Sequence, residues 1–229
     1  YLTSDDPAYG ASVEEQQQVF AGVNWTPSAR FGATANLRLS RGINSNFERS
    51  EYSGGTLYRY DIDRNQRQED FTLGLWSQLT DALNINLHYG FLRSDTSQDV
   101  MFGAAPDPLI NENVEYQQRV HTATLSASLQ VLKNLAAMME TRYIRSHALF
   151  DPDFIQQNLP VFGLVDSTDI RKLSELDIVQ TGIALGLEWT LADGWSCATR
   201  FSHDDYEDRN SSDFDGTAQL YMFNVARSW

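Results

Sequence analysis

The feature that most limits what this chain can fold into is a two-residue rhythm of apolar side chains. From Gln180 to Leu191 the odd positions read Thr181, Ile183, Leu185, Leu187, Trp189 and Leu191. The even positions read Gln180, Gly182, Ala184, Gly186, Glu188 and Thr190. Successive side chains of a strand point to opposite faces, so this segment predicts a strand with one apolar and one polar or small side. The same reading holds for Val19, Ala21, Val23 and Trp25 against Gln18, Gly22 and Asn24, and for Phe31 to Leu39 against Gly32 to Ser40. It holds again for Phe71, Leu73 and Leu75, for Leu83 to Phe91, for Ala123 to Val131, and for Leu135, Met139 and Tyr143, with Met138 a lapse. Nine such segments are visible, and helical spacing would not produce them.

The connections between segments alternate in length. Short turns fall near Pro27–Arg30, Thr80–Ala82, Lys133–Asn134 and Ala192–Gly194. Long polar stretches lie near 43–68, 98–119 and 150–176, with a shorter one near 210–216. Short turns at one end and long loops at the other are the layout of a transmembrane barrel of the bacterial outer membrane. Loops this long are out of place inside a compact soluble domain. No apolar run approaches the roughly 18 to 20 residues of a membrane helix. The mean hydropathy of −0.41 is no obstacle, because barrel strands average an apolar and a polar face. The expected fold is therefore all-β, an antiparallel transmembrane β-barrel occupying 1–229 as one domain. A soluble β-sandwich is the competing architecture.

Tryptophan placement agrees with the barrel. Trp25, Trp189 and Trp195 lie close to short turns, Trp229 is the last residue, and all four share the apolar parity. Amphipathic rings favour the headgroup level, so these four are the expected aromatic girdle. Trp76 also lies near a short turn but on the even parity. The final segment, TAQLYMFNVARSW, places Tyr221, Phe223, Val225 and Trp229 on one face. It resembles the C-terminal signature that the barrel-assembly machinery recognises, with Arg227 as a departure. Counting back from an inner C-terminus starts the first strand outside. Even strand numbers are the rule, so the chain is expected to be the C-terminal part of a larger barrel, with an unrecognised tenth strand near the N-terminus as the alternative.

The even, inward-facing positions include Arg38, His88, Glu140, Arg142, Glu188 and Arg200, the candidates for lining a pore or cradling a partner. The ordinary alternative is that opposite charges and amides satisfy one another. Small inward residues (Gly22, Gly32, Gly74, Gly90, Ala184, Gly186) argue for an interior with room for water or an inserted chain. The densest acidic stretch, FSHDDYEDRNSSDFD, brings His203, Asp204 and Asp205 together in sequence. Adjacent strand residues diverge, so a solvated rim is expected there in place of an acid–base or calcium site. His121, His203 and Cys197 fall on the lipid parity. A net charge of −14, with Lys133 and Lys172 the two lysines, argues against nucleic acid. One cysteine excludes a disulfide framework and a haem-attachment CxxCH, and no metal cluster or phosphate loop appears. The residues thus predict no enzyme, no metal and no cofactor bound by this chain.

Segments such as YRYDIDRNQRQEDF strung between hairpins of the LGLWSQLTDALNINLHYGF kind loosely resemble the decahaem-associated outer-membrane barrels of the MtrB/PioB type, over about Gln18–Trp229. That resemblance implies a sheath around a multihaem c-type cytochrome, a porin–cytochrome complex for transmembrane electron transfer, with the haem in the partner chain. Porins of exopolysaccharide-secretion operons look similar at this level. The functions to weigh are therefore a conduit or sheath in the outer membrane, a passive porin or polysaccharide exporter, and a barrel enzyme with an acidic extracellular site.

Overall fold

The computed structural model describes residues 2–3, 15–53, 56–102, 109–150, 175–191, 194–211 and 215–227. They form one antiparallel meander in which each strand pairs with its neighbours in sequence. After a two-residue β1 (Leu2–Thr3) come nine long strands: β2 (Glu15–Ser28), β3 (Phe31–Ser53), β4 (Thr56–Gln78), β5 (Leu83–Phe102), β6 (Leu109–Leu132), β7 (Leu135–Phe150), β8 (Glu175–Thr190), β9 (Trp195–Asp208) and β10 (Gly216–Arg227). Among the described residues no ladder joins β10 back to β1 or β2, and the sheet is open.

Register carries the two-residue rhythm across the whole sheet. Leu37 faces Ala21 and Phe71, Phe71 faces Phe91, Ala123 faces Tyr89 and Tyr143, and Leu185 faces Met139 and Phe201. Odd positions meet odd positions in every one of these ladders, so the apolar residues form one continuous face. The bulges, at Trp25/Ser28, Asn44/Phe47, Gln98/Val100 and Gln130/Leu132, fall outside its centre. That face has no covering layer among the described residues: Val19, Leu125, Leu185, Leu187 and Phe223 are exposed, and no large side chain is fully buried. A sandwich would bury these residues in its core. A bilayer is the solvent that suits them.

The short turns are built locally. Lys133 and Asn134 make a two-residue connection braced by Gln130 Nε2, which donates to the Leu132 and Leu135 carbonyls. Thr80 Oγ1 accepts from the Ala82 and Leu83 N–H groups, and Arg30 reaches across to Asp81 at 2.6 Å. Gly194 sits at φ 76°, a conformation that costs a side-chain-bearing residue dearly.

These turns descend in steps. Phe31 faces Ser77 beside the β2–β3 turn, yet the β4–β5 connection comes only at 79–82. Leu83 faces Leu129 while β6 runs on to Leu132, and Leu135 faces Trp189 while the β8–β9 connection comes at 191–194. The stagger is about one residue per strand. With a rise of ~3.3 Å and a strand spacing of ~4.8 Å, it corresponds to a tilt of about 35°, as barrel closure requires. A nine-residue apolar stretch such as Phe31–Leu39 then spans about 22 Å of membrane, close to the ~25 Å band of outer-membrane barrels.

Trp25, Trp189 and Trp195 lie at the turn end of the apolar face and are all exposed. Trp229 lies outside the described residues. Arg227, opposite Trp195 in register, places its guanidinium 5.3 Å from that ring centre, which accounts for an arginine where an apolar residue was expected. The stretches 43–68 and 98–119, read as loops from sequence, are largely strand: the β3–β4 and β5–β6 hairpins continue far beyond the apolar face. Past the bilayer both faces meet water, so the ladder persists while the rhythm that reveals it disappears. The connection 150–176 lies almost wholly outside the described residues.

Cysteine labelling tests the two-faced wall. In membranes, the lipid-facing Cys197 should resist a water-soluble maleimide. In a Cys197→Ser background, Asn86→Cys should react at least about tenfold faster than Leu87→Cys, because only a hydrated thiol ionises readily. Equal rates would show that the two faces share one solvent.

Candidate functional site

The face opposite the apolar one is the candidate site, and its chemistry changes along the sheet. On β3 to β6 it presents hydroxyls and amides: Thr34 and Asn36, Thr72, Asn84 and Asn86, Thr122 and Thr124, Ser126 and Ser128. Directly opposed residues pair, as where Asn36 Nδ2 donates to Thr72 Oγ1 at 3.2 Å. One register step higher, Arg38 meets Asp70 at 2.8 Å. Six candidates read from sequence (Arg38, His88, Glu140, Arg142, Glu188, Arg200) all carry this parity.

Charge concentrates on β7 to β9. Arg142, Gly182 and Asp204 occupy one row across three strands. Because Gly182 has no side chain, Arg142 Nη2 reaches over β8 to donate to Asp204 Oδ1 at 2.7 Å. A Cβ at Gly182 would collide with that carboxylate. Gln180 Nε2 donates to the same oxygen at 3.3 Å and lies 3.2 Å from the Tyr206 hydroxyl. Below this row Arg200 Nη2 donates to Glu140 Oε1 at 3.2 Å, again bridging the small residues of β8, and Ala184 is buried beneath the bridges. A recess of about 280 Å³ adjoins this second bridge, lined by Asn86, Ser126, Ser128, Met138, Glu140 and Arg200. The structure thus brings Glu140, Arg142 and Arg200 together, with Arg38 in a separate pair. His88, between Gly74 and Thr124, and Glu188, between Ala136 and Ala198, make no side-chain hydrogen bond to a described residue.

The small inward residues are covered by their neighbours. The Trp76 indole occupies the place of a Cβ on Gly32, Asn36 Oδ1 lies against Gly22, Thr34 Oγ1 against Gly74, Thr122 Oγ1 against Gly90, and Met138 against Gly186. Each of these glycines admits a neighbour's side chain against the sheet. Sequence reading also missed Asp70, Gln180, Asp204 and Tyr206 as members of the inner face. Their even parity was legible, but the bridging over β8 depends on register.

The acidic stretch 201–215 separates as strand geometry requires. His203 faces Ile183 on the apolar side and Asp204 faces Gly182 on the inner side. Asp208 shapes the turn that follows, accepting from Ser211 Oγ at 2.7 Å and the Asn210 N–H at 3.0 Å, while its own N–H donates to Asp215. The Ser211 hydroxyl, then the Asn210 amide, hold the Asp208 carboxyl below its ordinary range. Among the described residues no three His, Cys, Asp or Glu side chains are placed to hold a metal ion.

A staggered antiparallel meander with a continuous uncovered apolar face, an aromatic girdle at its turn end and a polar inner face is the wall of an outer-membrane β-barrel. That architecture places the chain in the bacterial outer membrane. No family model and no curated protein matches the sequence. Among solved structures it is similar to OmpT (in-vitro folded), an outer membrane protein of Vibrio cholerae, at 13% identity and a TM-score of 0.41. The match covers 90% of this chain and 56% of that one, so the chain spans little more than half of OmpT. A likeness at this level carries no argument about site, ligand or activity, and the fold assignment stands on the sheet's own geometry. The expectation that the chain is not an enzyme does not stand, because it rested on the absence of a recognisable catalytic motif, and an absent motif excludes no chemistry.

The bridge over Gly182 is open to a double-mutant cycle. Arg142→Ala and Asp204→Ala should each lower stability to denaturant in detergent, with a coupling of about 0.5–1 kcal/mol, since both groups keep some contact with water. Gly182→Val should abolish the coupling by displacing the carboxylate. Strictly additive single effects would mean the two side chains do not meet.

Proposed function

We propose that this chain forms part of the wall of a hydrated outer-membrane conduit. The observation that supports it best is the inner face of β3 to β6, where hydroxyl and amide groups alternate with glycines already filled by neighbouring side chains. Such a surface offers hydrogen bonds to water everywhere and has no large apolar pocket for an inserted hydrophobic chain. On β7 to β9 Arg142 pairs with Asp204 and Arg200 with Glu140, so these charges tune a water path without needing a partner's charge, while Glu188 has no ion pair to a described residue. A porin-like or exporter role follows from this lining. A sheath around a multihaem cytochrome, the role implied by the MtrB/PioB-type resemblance, needs specific lumen contacts with a second chain.

Single-channel recording decides between them. Detergent-extracted protein in planar bilayers should conduct ions. Asp204→Asn should shift the reversal potential toward anion preference and Arg142→Gln toward cation preference, each by a few-fold in permeability ratio, as expected for a wall charge of order 1 kcal/mol. Copurification of a haem protein, seen as visible haem absorbance with no conductance, would turn the reading to the sheath.

A further inference from the structure

A second polar surface lies on the outward, lipid-side face, immediately above the apolar band. Climbing each strand past its last apolar outward residue, Leu39 is followed by Arg41, Phe91 by Arg93, and Phe71 by Glu69 and then Arg67. On β6 Arg119 comes after His121. Four arginines on four adjacent strands thus stand at nearly one depth, in a chain whose net charge is −14. Register sets Arg41 directly opposite Arg67 and Arg93 directly opposite Arg119, while across the middle of the set Arg67 faces Asp95 and Arg93 faces Glu69. Like charges in facing positions destabilise a sheet.

Compensation within the chain is partial. Arg67 meets Glu69 at 2.7 Å and Arg93 meets Asp95 at 2.8 Å. Asp95 Oδ1 nonetheless lies buried without a hydrogen-bond partner, and Arg41 and Arg119 are exposed with no ion pair to a described residue. A hollow of about 700 Å³ opens here, lined by Arg41, Arg67, Arg93, Asp95, Glu115 and Tyr116, with Leu39 and Val19 at its lower margin. The inner-face Arg38, Arg142 and Arg200 each have a carboxylate within reach, as does Arg145 farther along the outer face; Arg41 and Arg119 do not.

Resting on the membrane reading above, we infer that this surface binds the phosphate-bearing headgroup of an outer-leaflet lipid. Guanidinium forks match phosphate oxygens bidentately, and one anion between two facing arginines relieves the repulsion that register imposes. The hollow is continuous with the apolar band, so acyl chains lie on Leu39, Phe71 and Phe91 while the headgroup sits among the arginines. That continuity selects a lipid over free phosphate.

The test uses the chain in phosphatidylcholine nanodiscs containing a small fraction of phosphatidic acid, with native mass spectrometry of the lipids retained on release. The wild-type protein should retain phosphatidic acid over phosphatidylcholine, and Arg41→Ser with Arg119→Ser should cut that preference about tenfold, as expected if each contact is worth half a decade. Arg41→Lys with Arg119→Lys should restore part of it, and Arg38→Gln on the inner face should leave it unchanged. Equal retention by wild type and the serine variant, or competition by inorganic phosphate at matched concentration, would overturn the inference. Failure of the chain to enter the bilayer at all would sink the membrane reading, and this inference with it.

Discussion

Everything in this molecule depends on register that never slips within the membrane band. In lipid each backbone N–H and C=O needs a partner within the protein, and between the two edges of the described sheet the meander supplies one through ladders between neighbouring strands. Those ladders have a second consequence. A slip of one residue would turn a strand's apolar set inward and its polar set into hydrocarbon. Odd residues meet odd residues from β2 through β10, and the bulges that break parity sit at turn ends or in the protruding hairpins. The sheet can bend and extend there because no face has to be kept. The steady stagger of the turns follows from the same ladders, and it fixes the tilt that lets nine-residue apolar stretches match a thin bilayer.

How far the sequence discloses this depends on where the two faces differ in solvent. Within the band one face meets hydrocarbon and the other water, and selection on side chains writes the two-residue rhythm plainly: Leu83 to Phe91 and Thr181 to Leu191 are readable unaided. Above the band both faces are wet. The pairs Arg49–Tyr60 and Val100–Asn111 belong to continuous hairpins, yet nothing in their composition separates them from loop. The inner candidates were legible by parity, but their contacts were not. That Arg142 meets Asp204, and Arg200 meets Glu140, depends on which residue of β8 lies between them, and parity alone does not say that it is Gly182 or Ala184. Trp76 shows the same limit: a tryptophan near a turn reads as girdle or cap, whereas here it covers Gly32 on the inner face.

Glycine and alanine on β8 therefore have a role different from vacancy. A strand of small residues between two strands of long charged ones lets the long side chains lie flat, so that opposite charges two strands apart come within 2.7 to 3.2 Å. Lying flat keeps the ion pairs on the wall, where they tie three strands into one unit.

The two faces also treat arginine differently. On the inner face Arg38, Arg142 and Arg200 each have a carboxylate placed by register: Asp70 opposite Arg38, Asp204 in the row of Arg142, and Glu140 across β8 from Arg200. On the outer face Arg145 has Asp177, and Arg67 and Arg93 have Asp95 and Glu69 opposite them on one side, but on the other side register sets Arg41 against Arg67 and Arg119 against Arg93. A sheet that can place Asp70 opposite Arg38 has the means to place an acid opposite Arg41, where Arg67 stands. Arg41 and Arg119 are left without an ion pair to a described residue, and that is the charge deficit the inferred lipid headgroup fills.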